Sequence, residues 1–415
     1  MTQESLTEKL ATHLMRPVDE ATRQRARLHL LDWLGCVAGA LTSEVGSLPR
    51  KISGVPGYHG SWLGNVLEMD DIHRSSILHP GPVVWGNIFG QLAADFDEML
   101  EAAIRGYEAV IAIGSTFDDR HYSYWHNTST AGIFGAAVAA SFSFEQRPSL
   151  ENVVDAMGLA GSVSGGFWQM RNEDTITKQW HIFHAAETGW HVAEASLEGA
   201  TGPRFILEGP QGLYAATCEN PKPMTFPDHW RIHEVSFKPW GACRHAHPAI
   251  DAALELKAKL GTLDGDIHVE TYADAISFCD RPDPQTVIDA KFSLQHAVAV
   301  VAERGVPQLA DFEPDAIAAL ADARARVTVS EAGDITTRYP EHYGARITCG
   351  EEAIELVDTL GDPERPLSKA GIIEKARALI AWGGLDVKEA DRAIDLALNG
   401  DDPAAIHEML SGWLS

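Results

Sequence analysis

Hydrophobic positions recur with helical spacing over most of the N-terminal half of the chain and again near its C-terminus. The segments with this pattern are residues 4–15, 18–41, 98–115, 129–143, 149–170, 182–199, 367–382, 387–398 and 402–413. The second segment is predicted to open at Pro17, because proline is tolerated in a first helical turn. Shorter apolar runs, Trp62 to Leu67 and Val83 to Leu92, are expected to form buried helices. Many segments are rich in Ala and Gly, which indicates closely packed helices rather than a nucleotide-binding loop.

The pattern changes after about residue 233, where apolar residues begin to alternate with polar ones. Strands are predicted at 266–272, 325–330, 345–349 and 353–357, with helices at 248–259, 294–304 and 312–323. This arrangement predicts a small α+β unit with an antiparallel sheet. The domains expected from the sequence are therefore helical over 1–233, α+β over 234–362 and helical over 363–415. A C-terminal helical segment of this kind could rejoin the first domain, giving a mainly α protein with an inserted α+β unit.

Composition narrows the range of partners and compartments. The net charge of -26 argues against nucleic acid and anionic membranes, which need a concentrated basic surface. The polar N-terminus does not resemble a signal peptide, and no apolar run reaches the roughly 18 residues of a membrane span. The five cysteines are scattered and form no Cys-x-x-Cys pair, which is typical of reduced thiols. We therefore predict a cytoplasmic protein that binds neither nucleic acid nor membrane.

Candidate chemistry is densest over residues 68–81, between two apolar runs. This stretch carries three carboxylates, two imidazoles and a guanidinium, from Glu68, Asp70, Asp71, His73, His79 and Arg74. Ionisable groups beside buried helices cost several kcal/mol unless they are paired, so such a cluster indicates either structural pairing or a functional site. The alternative is a helix end at which Asp70 and Asp71 are solvated caps and His73 is a surface residue.

Two further stretches place basic side chains next to helix starts. His126 precedes a helix that Asn127 or Thr128 could cap, where it could meet an anionic ligand, since helix N-termini favour negative charge. A core histidine is the alternative. Lys178 stands just before an apolar helix that carries His181, and a lysine there can hold a carboxylate or act as an acid or base. A surface lysine is the alternative.

A third stretch, 237–248, carries Lys238, Cys243 and Arg244 at the predicted junction of the two kinds of domain. Ligand sites are frequent at such junctions. His296, at another helix start, could approach the same cleft, although its sequence context favours a core histidine.

Several common mechanisms lack their motifs in this sequence. There is no Gly-x-Ser-x-Gly, Walker loop, Gly-x-Gly-x-x-Gly or His-Glu-x-x-His pattern, so hydrolase, NTPase, dinucleotide and zinc-protease interpretations are unsupported. The acids and histidines of 68–79 could ligate a metal ion. Cations from Lys178, Lys238 and Arg244 in the same site would repel it. We therefore predict no metal ion in this site.

Taken together, these stretches resemble the MmgE/PrpD family, which includes 2-methylcitrate dehydratase, cis-aconitate decarboxylase and iminodisuccinate epimerase. The matching motifs are Arg25 to Cys36, Asp70-Asp71 with Ile77 to Gly81, Trp125-His126, Thr177-Lys178, Thr201 to Pro210, Lys238 to Arg244 and Asp289 to Leu294. The resemblance implies a large all-helical domain formed by both chain ends, an inserted α+β lid domain, a homodimer, and cofactor-free chemistry on small di- or tricarboxylates. The family's functional residues carry over to His79, His126, Lys178 and Lys238.

The sequence departs from the decarboxylase-like members at four positions. Glu68 stands where those members have Asp and Ile72 where they have Thr, while Cys243 replaces a catalytic His and His296 replaces a pocket Tyr. These differences concern the substrate rather than membership of the family. The loss of the histidine at Cys243 lowers the rank of a decarboxylase.

The common chemistry of this family is removal of a proton next to a carboxylate. We expect Glu68, Asp71 or His79 to take the proton and His126 to act as general acid. The remaining candidates would bind substrate or stabilise developing negative charge, and they are Lys178, His73, Arg74, His181, Lys238, Cys243, Arg244 and His296. A hydro-lyase similar to 2-methylcitrate dehydratase is the first hypothesis, followed by a dicarboxylate epimerase and then a cis-aconitate-type decarboxylase. A non-catalytic carboxylate-binding protein and a metal-dependent lyase are the alternatives from other classes.

Overall fold

The structure is a computed structural model that describes residues 4–52, 55–90, 95–173 and 175–414. The chain is mostly helical and contains a small four-stranded mixed sheet. It divides into two compact units. The first consists of Met1–Val66, Asp70–Val235 and Ser368–Ser415, and the second of Leu67–Met69 and Ser236–Leu367. Residues 67–69, which the sequence analysis assigned to the helical domain, thus belong to the second unit.

The helices and strands lie along the chain in the following order. Up to residue 235 the helices are α1 Leu6–Leu14, α2 Glu20–Gly39, α3 Pro49–Ile52, α4 Pro56–Leu63, α5 Pro80–Ile88, α6 Phe96–Gly114, α7 Asp119–Tyr124, α8 Asn127–Ser143, α9 Leu150–Ser162, α10 Thr177–Leu197 and α11 Leu213–Thr217. The second unit contains α12 His247–Leu260, β1 Ile267–Thr271, α13 Ala273–Cys279, α14 Val287–Lys291, α15 Leu294–Arg304, α16 Pro314–Ala319, α17 Ala321–Ala325, β2 Val327–Glu331, α18 Gly333–Thr336, β3 Ala345–Cys349 and β4 Glu352–Leu356. The chain then forms α19 Lys369–Trp382, α20 Val387–Asn399 and α21 Pro403–Leu414.

The Ala- and Gly-rich segments form the closely packed centre of the first unit, as their composition predicts. Helices α6 and α8 approach so closely that a Cβ on Gly106 would lie 3.0 Å from the carbonyl oxygen of Gly135. A Cβ on Gly135 would likewise lie 2.9 Å from the carbonyl oxygen of Gly106. Larger side chains at these two positions would push the helix axes apart, because protein interiors have no free volume to accept them.

The two ends of the chain meet in the first unit, where α2 packs against α19. A Cβ on Gly35 would lie 3.1 Å from the Cα atom of Ala376. Beside this contact, the Lys375 ammonium donates a 2.5 Å hydrogen bond to the Asp32 carboxylate, and both side chains are buried. Removing one partner of such a pair would leave a charge buried without compensation, at a cost of about 3–5 kcal/mol.

Several helix boundaries differ from the predicted ones. Helix α2 starts at Glu20 rather than Pro17, because the side chain of Asp19 accepts a hydrogen bond from the backbone N–H of Thr22 and caps the helix. The helix predicted over 149–170 ends at Ser162, and the chain then passes through Gly166, whose φ of +110° a helix cannot contain.

Two other predicted helices also end differently. The helix predicted over Val83 to Leu92 ends at Ile88, and residues 91 and 92 lie outside the described residues. The helix predicted over 312–323 is divided into α16 and α17.

The sheet of the second unit has the order β2-β1-β3-β4. The predicted antiparallel sheet is wrong for one pair: β1 pairs with β3 and β3 with β4 in antiparallel fashion, but β1 and β2 are parallel. The segment between β1 and β2 contains α13 to α17, and a helical crossover of this kind returns the chain in the same direction. In this sheet the inward side of β1 is buried at Ile267 and Val269.

Neither a membrane-spanning helix nor a disulfide is present in the described ranges. The helices of the described ranges are all too short or too polar to cross a bilayer. No disulfide links the five cysteines, all of which lie in described ranges.

Candidate active site

The loop between α4 and α5 is buried, so the solvated-cap alternative for its acids is wrong. Asp70, Asp71 and His73 are each at most 3% exposed. A tight turn organises the loop: the backbone N–H groups of His73 and Leu78 each donate to the carbonyl of the other residue. Within that turn Ile77 has a φ of +50°, a conformation that strains a β-branched residue by about 1–3 kcal/mol and that persists where the surroundings enforce it.

Asp71 is held by three hydrogen bonds. Its carboxylate accepts from His29 Nδ1 at 2.7 Å, from the Tyr107 hydroxyl at 2.6 Å and from the backbone N–H of Gly81 at 2.9 Å. Burial raises the pKa of Asp71 to about 6, and the neighbouring negative charge of Asp70 acts in the same direction, although the hydrogen bonds oppose it. The geometry therefore assigns Asp71 to fixing the amino end of α5, rather than to the role of base expected for it from the sequence.

Asp70 contacts the predicted catalytic histidine. Its Oδ2 atom lies 2.8 Å from Nδ1 of His79 and also accepts a 2.7 Å hydrogen bond from the side-chain amide of Asn65. Asp70 is 1% exposed, whereas His79 is half-buried. A carboxylate at this position favours the tautomer with the proton on Nδ1, which leaves the lone pair on Nε2 to accept a proton.

His126 lies beside this pair, at the amino end of α8. The sequence analysis expected Asn127 or Thr128 to cap this helix, but His126 itself occupies the N-cap position and its side chain makes no capping bond. Its backbone N–H donates to the carbonyl of Gly166 at 2.8 Å. The Thr128 hydroxyl, in the first turn of α8, accepts a 3.1 Å hydrogen bond from the backbone N–H of His79. This bond links the segment that carries His79 to the one that carries His126.

The rings of His126 and His181 form a neutral pair. Their Nδ1 atoms are 3.2 Å apart, so one ring donates and the other accepts. Burial lowers the pKa of His126 well below its usual value, and the neighbouring basic groups of His181, Lys178 and His79 also disfavour a positive charge on this ring. Burial also lowers the pKa of His181 to about 4. Both rings are therefore uncharged at neutral pH in the absence of a ligand.

Lys178 lies within α10 rather than ahead of it, because this helix begins at Thr177, five residues before the predicted start at 182. Its charge acts on His126, so the structure brings Lys178, His126 and His79 into one region of the first unit. These groups stand at or near the amino ends of α10, α8 and α5 respectively. Helix amino ends carry partial positive charge and favour bound anions.

Two other candidates from the same loop lie in different surroundings. The Nδ1 atom of His73 shares a 2.5 Å hydrogen bond with the Ser76 hydroxyl, and its Nε2 atom lies 2.9 Å from the Glu234 carboxylate. Burial lowers the pKa of His73. Both ring nitrogens are thus occupied, which gives His73 a structural role in place of the substrate contact that we expected. Arg74 is half-buried in the same turn.

In the second unit, Lys238 and Glu68 face each other. The Lys238 ammonium is completely buried and lies 3.7 Å from the Glu68 carboxylate. Glu68 has a φ of +58°, a second strained position in a residue other than glycine. The charges of Lys238 and Glu68 both act on the buried thiol of Cys243. The backbone N–H of Cys243 donates to the carbonyl of Lys291 at 2.8 Å. A charged pair at a strained position is typical of functional sites, so these residues stay candidates.

Arg244 and His296 have structural partners in the second unit. Arg244 donates to the buried carboxylate of Asp362. His296 donates through Nε2 to the carbonyl of Asp311 at 2.7 Å, and its Nδ1 accepts from Arg324 at 3.4 Å. Burial lowers the pKa of His296 to about 4. His296 is therefore the neutral core histidine that its sequence context favoured, and Arg244 neutralises a buried acid.

The acids and histidines of 68–79 do not form a metal-ligand set. Within the described ranges, the side chains arranged closely enough to share an ion are His342, Asp358 and Glu364, in the second unit. The Asp71 oxygens are instead occupied by hydrogen-bond donors, as described above. The metal-dependent alternative therefore finds no support in the geometry of this loop.

Asp70 is the residue whose role the sequence analysis missed. It appeared there as a possible cap, whereas the structure places it against His79. The available signal was the spacing of two adjacent acids and two histidines, His29 and His79, both within the matching motifs. A sequence cannot tell which acid meets which histidine, because this depends on the reversal of the chain between His73 and Leu78.

Two protein-family models match this chain. The model of the MmgE/PrpD N-terminal domain matches residues 59–225, and that of the MmgE/PrpD C-terminal domain matches residues 240–401. The chain belongs to the MmgE/PrpD family. The match extends to residue 401, well beyond Leu294, where the last of the matching motifs ends. Among curated proteins, none is significantly similar to this chain. Membership in this family indicates an enzyme of the lyase type or a related one.

Proposed function

We propose that this protein is a cofactor-independent hydro-lyase that removes a proton alpha to a carboxylate of a small polycarboxylate such as 2-methylcitrate. The observation that carries the proposal is the contact between Asp70 and His79, next to the neutral His126 and His181 pair and Lys178. This region would provide His79 as a proton acceptor, the pair of His126 and His181 to pass a proton on, and Lys178 as a cation.

His79 is the base in this proposal. The Asp70 carboxylate, 2.8 Å from Nδ1, favours a proton on that atom, so that Nε2 can take the proton from the carbon next to the substrate carboxylate. The electron pair of the C–H bond then forms a C=C bond as the neighbouring C–O bond breaks. The leaving hydroxide and one proton form water, so the step needs no oxidant or reductant.

His126 and Lys178 deal with the charge that the reaction moves. A bound polycarboxylate brings negative charge next to His126, which favours its protonated form and prepares it to donate to the leaving hydroxyl. The Lys178 ammonium would hold a substrate carboxylate and stabilise the negative charge that grows on its oxygens. Such fixed charges supply the largest contribution to many enzymatic rate enhancements.

An epimerase is the second candidate, and one observation favours it. His126 is neutral in the free protein. A neutral imidazole on the other side of a carbanion could exchange protons with that face, which is what epimerisation requires. Both candidates share the first step, removal of a proton by His79, and they differ in whether a hydroxide then leaves.

The test is incubation with 2-methylcitrate, citrate or iminodisuccinate in deuterated water, followed by NMR and mass spectrometry. Loss of water from a hydroxy acid supports the hydro-lyase, and deuterium in an inverted iminodisuccinate supports the epimerase. Binding without exchange or product on all three would contradict the proposal and favour a non-catalytic binder. Activity that is lost with a chelator and restored by a metal ion would also contradict it.

Lys178→Ala checks the role of the cation in the same assay. We expect turnover to fall by about 10²-fold or more, because this ammonium acts on both ground-state binding and the transition state. The matched control is His184→Gln, which alters an exposed residue on the same helix. Equal activity of Lys178→Ala and the wild type would remove Lys178 from the site.

A further inference from the structure

A basic cavity lies in the first unit, lined in part by α2 and the start of α19. Its volume is about 350 Å³, at the lower end of the roughly 300–1,000 Å³ typical of small-molecule sites. Four polar residues, Gln24, Arg25, His233 and Lys369, line it together with three aliphatic side chains. A cavity with apolar walls and a few polar groups is the usual composition of a ligand site.

The charge of this cavity is unusual for so acidic a chain. The protein carries a net charge of -26, yet among the residues that the structure describes no carboxylate lines this cavity. Arg25 and Lys369 are cationic, and His233 adds a ring that can donate a hydrogen bond. Such a lining attracts anions and repels cations.

The Arg25 guanidinium is also well placed to bind an anion. It is half-buried and donates through Nη2 to the carbonyl of Val235 at 2.6 Å. Burial lowers the pKa of Arg25 to about 10, and the negative charge of Asp71 only partly offsets this cost. At neutral pH the guanidinium therefore keeps its positive charge and can attract an anion in the cavity.

Helix ends add to the same preference. Lys369 is the first residue of α19, a helix of 14 residues, so the positive end of its dipole lies at the cavity. The carboxyl end of α20 would by itself disfavour an anion, because the carbonyl oxygens there carry partial negative charge. There, however, Arg27 donates to the carbonyls of Ala397 and Gly400, which occupies those oxygens and adds a further positive charge.

We propose that this cavity binds the phosphate group of a small molecule. An arginine, a lysine and a helix amino end together favour a doubly charged anion, and phosphate is bound by such groups in many proteins. No residue of this cavity belongs to the candidate active site, so the proposal goes beyond the proposed function and does not depend on it.

The test uses inorganic phosphate as probe, with the purified full-length protein at pH 7. Isothermal titration calorimetry and thermal shift are measured in phosphate and in sodium chloride of equal ionic strength. We expect saturable binding of phosphate and a higher melting temperature than in chloride, because a ligand of the native state stabilises it. No difference between phosphate and chloride would overturn the proposal.

Two variants of exposed residues locate the binding. Lys369→Glu and Gln24→Glu each bring a negative charge to the cavity wall, and we expect each to weaken phosphate binding at least about tenfold. Neither side chain is buried, so both variants should fold. The matched control is Lys388→Glu, at the second position of α20, which is exposed and outside the cavity. Equal loss in Lys369→Glu and Lys388→Glu would overturn the proposal, since it would indicate a general effect of net charge.

Discussion

Two adjacent acids, Asp70 and Asp71, each approach the Nδ1 atom of a histidine, yet their surroundings differ. Asp71 meets His29, which is completely buried, and accepts two more hydrogen bonds. Asp70 meets His79, which is half-buried. The first pair is enclosed in the core, whereas the His79 side chain of the second pair is 12% exposed. An acid and histidine pair therefore indicates chemistry only when one ring nitrogen is left accessible and its neighbours can hold a ligand.

Replacing His79 should break the reactive pair and have the largest effect on activity. We expect His79→Gln to lower kcat about 10³-fold, within the range for loss of a general base, while the melting temperature changes little because glutamine is close to histidine in size and polarity. Deuterium exchange into substrate measures the loss directly. His184→Gln is the control and should retain wild-type activity. Exchange by His79→Gln within tenfold of the wild type would assign the base to another residue.

Replacing Asp71 should break the enclosed pair and change stability instead. Asp71→Asn places an amide N–H group where three donors converge, so we expect a loss of about 2–3 kcal/mol in the free energy of unfolding. Denaturant titration measures it. Asp386→Asn, at the exposed N-cap of α20, is the control and should be nearly neutral, since Asn caps as well as Asp.

The difference in unfolding free energy between the wild type and Asp71→Asn should depend on pH, and the raised pKa fixes the direction of this change. Burial raises the pKa of Asp71 from its ordinary 3.8 to about 6, so the folded state binds this proton more tightly than the unfolded state. The stability contributed by that proton is complete below about pH 4 and is lost as the pH rises through 6. The gap in stability between wild type and Asp71→Asn should therefore widen by about 1 kcal/mol from pH 7.5 to pH 5. A gap that narrows would contradict the raised pKa.

Replacing Asp70 should weaken the reactive pair without removing its base, and so have a smaller effect on activity than loss of His79. We expect Asp70→Asn to lower kcat about 10- to 100-fold, as for other groups that orient a functional histidine. Because Asp70 positions His79 and does not contact the substrate in this proposal, KM should change little. Steady-state kinetics separate the two constants, and a rise in KM at unchanged kcat would place Asp70 in substrate binding.

Local patterns predicted most of the helices and all four strands, because periodicity and capping act between neighbouring residues. The parallel pairing of β1 with β2 was missed, since its cause is a crossover of five helices that no local pattern records. Within the site, His79, His126 and Lys178 were predicted from motifs, and the structure brings them together. His73 and Arg244 were predicted to bind substrate, but their partners, Glu234 and Asp362, are more than 100 residues away in the sequence.

The buried bond between Asp32 and Lys375 has a consequence for biosynthesis. While the ribosome is still translating the middle of the chain, α2 has emerged without α19, and its aspartate has no ammonium to neutralise it. The nearly continuous segment 236–367 can complete its own core earlier. The buried aspartate of α2 therefore gains its partner only after residue 375 has left the exit tunnel.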